Sequence, residues 1–364
     1  MILDNIAVFS TKIPLKKPFI TSVRQTEVIE DILVRIRSDE LEGWGNACVI
    51  PVITGTEKEA IVKDLEKLSK ILLGDIEKDF NGIISGIYRE KVSNVALAAM
   101  DIALHDIFSR KAGLPLAEFL GGSVRPFPIC ATISLLSPDE MAEDALKLRS
   151  EGFSLLKLKV GGNPDLDFAR INSVHKAVGE KVSLFIDVNQ GWNLDDALSV
   201  IKRLSDAGIV PTGIEQPLEF SNYRGMETLK AATSISIFAD ESANSLSMAM
   251  KIITERISSG INVKLQKYGG LRAASIITDW SELSGFKSMA GCMMESPVGV
   301  WAMAHLVASR NSFVLCDLDP LVMIRDNPVC SGSQCRAGQM EISRDHGLGI
   351  SSIDDIKMIK EYWR

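Results

Sequence analysis

The sequence predicts an α/β protein, a (β/α) barrel preceded by an α+β domain. Two observations carry that prediction. From Gly121-Gly122 onward, short apolar runs alternate with amphipathic stretches, and eight such runs occur. Strands separated by helices make parallel βαβ units, and a closed barrel is the simplest arrangement of eight of them. Before residue 120 the order differs: strand signals come first, then long helical stretches, the pattern of an α+β domain.

In the first domain, Asp31–Ile36 (Asp-Ile-Leu-Val-Arg-Ile) reads as a strand followed by a polar turn and Gly43-Trp44-Gly45. Apolar Ile61, Leu65, Leu68, Ile71 and Leu72 have helical spacing over Glu57–Leu73. A second helix runs from Asn94 to Ala112 and ends at Gly113-Leu114-Pro115. The barrel strands are expected at Pro128–Ser134, Leu155–Val160, Val182–Val188, Gly213–Glu215, Ile235–Ala239, Ile261–Leu265, Ser288–Met294 and Phe313–Leu318. The helix after the first opens on Ser137-Pro138-Asp139-Glu140, with an N-cap serine, proline at the first helical position and glutamate three residues on.

Bulk properties exclude several functions. A chain of 364 residues suggests about two domains, and 46% hydrophobic with 24% charged residues is the balance of a globular protein. A net charge of −7 and a pI near 5.3 argue against nucleic acid or an anionic membrane as partner. Met1–Phe19 has no long apolar run, so no signal peptide is expected. The apolar stretch Pro297–Ala308 is too short to span a bilayer. Six cysteines without C-x-x-C spacing point to free thiols and a cytoplasmic location. Four scattered histidines argue against a histidine metal site.

The polar residues closing the strands are more informative. Barrel active sites lie at the C-terminal strand ends. Lys159, Asp187, Glu215, Asp240 and Lys264 follow one another at intervals of 28, 28, 25 and 24 residues, each about one strand, one helix and two loops. They therefore come from successive strands and meet at one mouth. Lys157 shares a face with Lys159, Asn189 with Asp187, and Asp319 with Asp317, because side chains alternate along a strand. Three acids on adjacent strands form an all-oxygen set suited to Mg²⁺, with Mn²⁺ as a possible substitute. Lysines on the strands before and after the acids can act as acid or base if their pKa falls, as a neighbouring lysine or divalent cation would make it.

The chain resembles the enolase superfamily, in its muconate lactonizing subgroup. The resemblance rests on Lys157-Leu-Lys159, Asp187-Val-Asn189, Ile214-Glu215-Gln216-Pro217, Ala239-Asp240-Glu241-Ser242 and Asn262-Val-Lys264, with Ala98–Asp106 and Leu120-Gly-Gly122 in the first domain. Each motif is weak alone; the ordered set is specific and spans nearly the whole chain. It implies a (β/α)7β barrel (residues 123–325), a capping domain (1–122) and a C-terminal segment (326–364) that returns to the cap. It also implies Mg²⁺ on Asp187, Glu215 and Asp240, with Asn189 and Glu241 as ancillary groups. A proton α to the substrate carboxylate is lost, and the metal stabilises the resulting ene-diolate, a use of metal and lysine known for this superfamily. Lys159 and Lys264 are the implied acid/base pair, and Lys157 supports Lys159 and the carboxylate.

Cys316-Asp317-Leu-Asp319-Pro320 resembles the dipeptide epimerases of the subgroup, where two acids bind the α-ammonium of a peptide. Pro18–Arg24 and Val52–Gly55 look like their specificity loops, with Arg24 placed for a glutamate side chain. Thr132, Cys292 and Met294 would contact substrate. The implied function is epimerisation of L-Ala-D/L-Glu in murein peptide recycling by 1,1-proton transfer, with a small dipeptide as ligand and a possible homo-oligomer as assembly. The competing readings are o-succinylbenzoate synthase or a muconate-type cycloisomerase on the same scaffold, and a non-catalytic metal and carboxylate binder.

Overall fold

The computed structural model describes residues 2–73 and 79–364. Its first layer is an antiparallel sheet built from β1 (Asn5–Ile20), β2 (Gln25–Ser38) and β3 (Leu41–Cys48). Eight parallel strands follow in sequence order: β4 (Ala131–Ile133), β5 (Leu155–Lys159), β6 (Ser183–Asp187), β7 (Gly213–Glu215), β8 (Ile237–Ala239), β9 (Gly260–Val263), β10 (Lys287–Ala290) and β11 (Phe313–Cys316). A backbone hydrogen bond from Cys130 N to Cys316 O, 2.9 Å, joins the segment entering β4 to the end of β11 and closes the ring. Helices separate the first seven of these strands from their successors. After β11 only the turn Pro320–Met323 is helical, so the barrel is (β/α)7β. The chain then returns to the first sheet, where β12 (Ile356–Trp363) pairs antiparallel with β1.

The strands are shorter than their apolar runs suggest. Cys292 and Met294 lie beyond β10 rather than in it. The extra apolar residues serve the loops that face the capping domain. The expected capping box is present: Glu140 N donates to Ser137 Oγ, and Ser137 N donates to Glu140 Oε2.

Two features set the cap over the barrel mouth. The helix Asn94–Lys111 reaches the barrel through Asp101, whose Oδ1 accepts from Leu271 N, and packs on β3, where a Cβ on Gly45 would meet Ala99 O at 1.9 Å and one on Gly43 would meet Ala103 O at 2.4 Å. Glycine is required there by backbone-to-backbone approach. At its far end the β1–β2 hairpin reaches the barrel: Leu135 N donates to Ile20 O at 3.0 Å, and Ile20 N to Ser134 Oγ at 3.2 Å. That contact suspends Phe19–Arg24 over the strand ends.

Inside the barrel, side chains form tiers. Cys130, Phe185, Phe238, Met289 and Leu315 pack as a buried apolar cluster. Two residues further along β6, and on the neighbouring strands, the inward positions turn charged. Lys159 is in register with Asp187, and Asp187 with Glu215. The ladder itself thus delivers a lysine and two acids to one level.

Candidate active site

The charged tier opens into a cavity of about 840 Å³ between barrel and cap. Its wall includes Arg24, Thr132, Lys157, Lys159, Asn189, Asp240, Glu241, Lys264, Cys292, Met294, Asp317 and Asp319. Asp187 and Glu215 do not line it. They are almost wholly buried behind Lys157, whose Nζ lies 2.9 Å from Asp187 Oδ2, 2.6 Å from Glu215 Oε2 and 2.6 Å from Asp317 Oδ2. One ammonium therefore ties acids from the third, fourth and eighth barrel strands.

Lys159 Nζ donates to Asp187 Oδ2 and to Asn189 Oδ1, and lies over the Phe19 ring supplied by the cap. On the other side, Lys264 Nζ donates to Asp240 Oδ2 at 2.7 Å. Asp240's second oxygen is taken by Lys267 at 2.8 Å, which also donates to the carbonyls of Asp240 and Asn262. Asn262 Nδ2 donates to Glu215 Oε1 at 2.6 Å, and Gln216 Oε1 accepts from the backbone of Asp240 and Ser242. Motif reading missed Lys267, and it quoted Asn262 and Gln216 within motifs without giving either a role. For Lys267 a signal existed, since it stands one helical turn after Lys264.

Facing carboxylates dominate the electrostatics at two of the lysines. Burial would lower Lys157 and Lys264, but facing carboxylates outweigh it and both are raised. Burial alone would raise Asp187; Lys157 and Lys159 overcome it and hold the carboxyl at about 2. Asp240 is likewise held low by Lys264 and Lys267 against its burial. Glu215 goes the other way, to about 8, through burial and the charge of Asp187. Glu241 reaches about 7 by burial and the charge of Asp240.

At the eighth strand, Asp317 Oδ1 accepts from Thr132 Oγ1 at 3.4 Å, and Asp319 Oδ2 accepts from Thr132 N. Burial and the charge of Asp317 push Asp319 up to about 7, whereas Asp317 is pulled down by Lys157 and Lys159 despite burial. Arg24 stands alone. Among the described residues its guanidinium has no carboxylate or hydrogen-bond partner, and burial lowers its pKa. A half-buried cation aimed into a cavity without a counter-ion is a seat for an anion.

The acids were tested as a cation site. As placed, no three His, Cys, Asp or Glu among the described residues converge at metal distance, since Asp187, Glu215 and Asp240 each lie against a lysine. Their chemistry nonetheless fits a hard divalent ion: all-oxygen donors at one barrel mouth. Among the described residues Glu215 Oε2 has no aligned hydrogen-bond donor although Lys157 Nζ is near, and Glu241 Oε2 is buried without one.

This geometry agrees with comparisons to known proteins. Residues 140–356 match the family model described as enolase C-terminal domain-like, and residues 4–121 the mandelate racemase / muconate lactonizing enzyme N-terminal domain. The chain belongs to the enolase superfamily. Its relatives are named epimerases, and the chain is an isomerase, which removes the reading as a non-catalytic binder. It is 34% identical to an L-Ala-D/L-Glu epimerase of Clostridium acetobutylicum, over 98% of this chain and 100% of that one. Among solved structures, a substrate-liganded L-Ala-D/L-Glu epimerase from Bacillus subtilis superposes with a TM-score of 0.94 at 33% identity, covering 97% and 99% of the two chains. A dipeptide epimerase from Enterococcus faecalis, complexed with Mg and L-Leu-L-Tyr, gives 0.92 at 31% identity, covering 97% and 100%. Among the described residues of this superfamily member, no helix is long and apolar enough to cross a membrane.

Proposed function

We propose that the protein is a Mg²⁺-dependent dipeptide epimerase acting on L-Ala-D/L-Glu, in the recycling of murein peptides. One observation carries the reading. A single cavity joins two lysines on opposite strands, an acid pair suited to an ammonium, and an unpartnered arginine. A dipeptide with an acidic second residue has complementary groups: a free amine, a terminal carboxylate, and a side-chain carboxylate.

Asp187, Glu215 and Asp240 would hold the Mg²⁺. When bound, the ion supplies Lewis-acid stabilisation of the negative charge that grows on the substrate carboxylate as the α-proton leaves. The side chains do the rest. Asp317 and Asp319 take the peptide ammonium, with Thr132 orienting both acids. Arg24 takes the side-chain carboxylate from the cap, and Cys292 and Met294 wall the residue whose configuration changes. Lys159 on one face removes the α-proton, and Lys264 on the other returns one; in the reverse direction they exchange roles. Lys157 stays protonated and holds the acid cluster. Asn189 positions Lys159 and, with its amide nitrogen, reaches Glu241 at 3.4 Å.

The reading is tested by proton NMR of L-Ala-L-Glu with enzyme and Mg²⁺ in D₂O. Loss of the Glu α-proton with growth of L-Ala-D-Glu signals is the expected result. Exchange without the new diastereomer would reject epimerisation. No exchange would shift the substrate to dipeptides with other second residues, then to o-succinylbenzoate synthesis or muconate-type cycloisomerisation.

A further inference from the structure

Beneath the cavity wall, where the capping sheet meets the barrel, two carboxylates lie together without a cation. Asp31 on β2 is 1% exposed, and Glu295, in the loop between β10 and the helix Pro297–Ala308, is 2% exposed. Among the described residues neither forms an ion pair. One amide nitrogen serves both: Asn46 Nδ2 on β3 donates to Asp31 Oδ2 at 2.8 Å and lies 3.3 Å from Glu295 Oε2. Gln266 Nε2 donates to Glu295 Oε2 at 2.8 Å, Met293 N to Glu295 Oε1 at 2.9 Å, and Ser296 N to Asp31 Oδ2 at 2.7 Å. Among the described residues Asp31 Oδ1 has no hydrogen-bond donor.

The packing leaves little freedom. A Cβ on Gly299 would meet Asn46 Oδ1 at 2.1 Å and Glu295 Oε2 at 2.2 Å, so the first turn of the helix Pro297–Ala308 presses onto Glu295 and the amide it shares with Asp31. Its N-terminal end favours one negative charge there. A second buried charge has no such support, and an unpaired buried carboxylate neutralises instead.

We propose that Asp31 and Glu295 share one proton, and that this singly charged pair is the joint seating the cavity wall against the capping sheet. The elements it gathers are those that flank the chemistry. Gln266 follows Lys264 by two residues and lines the cavity, as do Met293 and Met294 immediately before Glu295. Asp31 and Glu295 are thus positioning residues. Burial raises both carboxyls, and the charge of Glu295 raises Asp31 further. The other titratable groups facing the pair are Cys48, paired with Asp31 across the β2–β3 ladder, and Cys292, both thiols raised by burial. Lys264 acts on Glu295, and Arg24 on Cys48, only at a distance.

The sign of the pH dependence follows. A carboxyl raised on folding stabilises fully below its unfolded value, and that stability is lost as pH rises toward the folded value. Asp31→Asn imitates the protonated acid and escapes that loss. The experiment is thermal unfolding of wild type, Asp31→Asn and Glu295→Gln from about pH 5 to about pH 9, with infrared spectra of the protonated-carboxyl band. Expected are a wild-type Tm that falls relative to Asp31→Asn as pH rises, and a carboxylic C=O band that either variant removes. Parallel Tm profiles, or a band unchanged in both variants, would overturn the shared proton. If Asp31→Asn does not fold, the band in wild type and its loss in Glu295→Gln decide the matter.

The positioning half rests on the epimerase reading and has its own readout. Asp31→Ala and Glu295→Ala should raise KM for the dipeptide several-fold more than they lower kcat, with rescue by Asn and Gln. Unchanged KM in the alanine variants overturns it. Absence of any dipeptide turnover in wild type would reject the epimerase reading while leaving the proton measurements intact.

Discussion

Lys159 and Lys264 stand on the second strand and at the end of the sixth strand of an eight-stranded ring, half a circuit apart, and each is held by a different acid. No single substrate face can be presented to both. Replacing either lysine with methionine, which keeps the length and removes the proton carrier, is expected to lower epimerisation by about 10²–10⁴-fold. The remaining lysine should still exchange the α-proton of one epimer. Deuterium incorporation from each pure epimer, followed by NMR, checks this; an unaltered epimerisation rate in either variant rules the pair out.

The lysines, Asp187, Glu215 and Asp240 were legible in the sequence for a physical reason. Parallel strands joined by helices repeat at a nearly constant length, and the register that aligns Lys159, Asp187 and Glu215 is a property of that repeat. The Asp31–Asn46–Glu295 joint was not legible, because its members lie 15 and 249 residues apart and meet only when the cap docks. Strand β1 was equally obscure. Its second half, Lys12–Pro18, is rich in lysine and proline and masks the alternation of a strand, while its first half, Asn5–Thr11, pairs on one side with Ile356–Trp363 near the end of the chain. Nor could sequence show that the carboxylates would outweigh burial at Lys157 and Lys264, since that depends on distances below 3 Å.

Arg24 sets the preference for an acidic second residue if its free guanidinium is the side-chain seat. A charge-assisted hydrogen bond contributes about 1.5–3 kcal/mol, or about 10- to 150-fold in affinity. Arg24→Met should therefore raise KM for L-Ala-L-Glu by about that factor and leave L-Ala-L-Leu nearly unchanged. Steady-state kinetics on the two peptides decide it. Equal losses on both would place Arg24 in a structural role in the hairpin.

Asp319 makes a separate claim on the amine end. Its carboxyl, pushed to about 7 by burial and by Asp317, binds an ammonium best once ionised. KM for a dipeptide should fall as pH rises through about 7, then climb above about 8 as the peptide amine loses its proton. In Asp319→Asn the lower limb should vanish and KM should be raised throughout. A KM profile of the variant parallel to wild type would remove Asp319 from substrate binding.

His305 provides a test of stability remote from the chemistry. It is fully buried in the helix Pro297–Ala308, and its Nδ1 accepts from Ala117 N at 3.1 Å, which fixes the neutral tautomer with hydrogen on Nε2. Burial pushes its pKa down to about 4, against a small opposing effect of the Leu348 backbone. Folded protein then binds fewer protons than unfolded chain between about 4 and about 6.5. Stability is complete above that window and is lost as pH falls through it, by up to about 3 kcal/mol. His305→Asn keeps an acceptor for Ala117 but cannot ionise. Urea unfolding at several pH values should show wild type losing stability between about pH 6.5 and about pH 4 faster than the variant does. Identical slopes would mean that His305 takes up its proton without disturbing the fold.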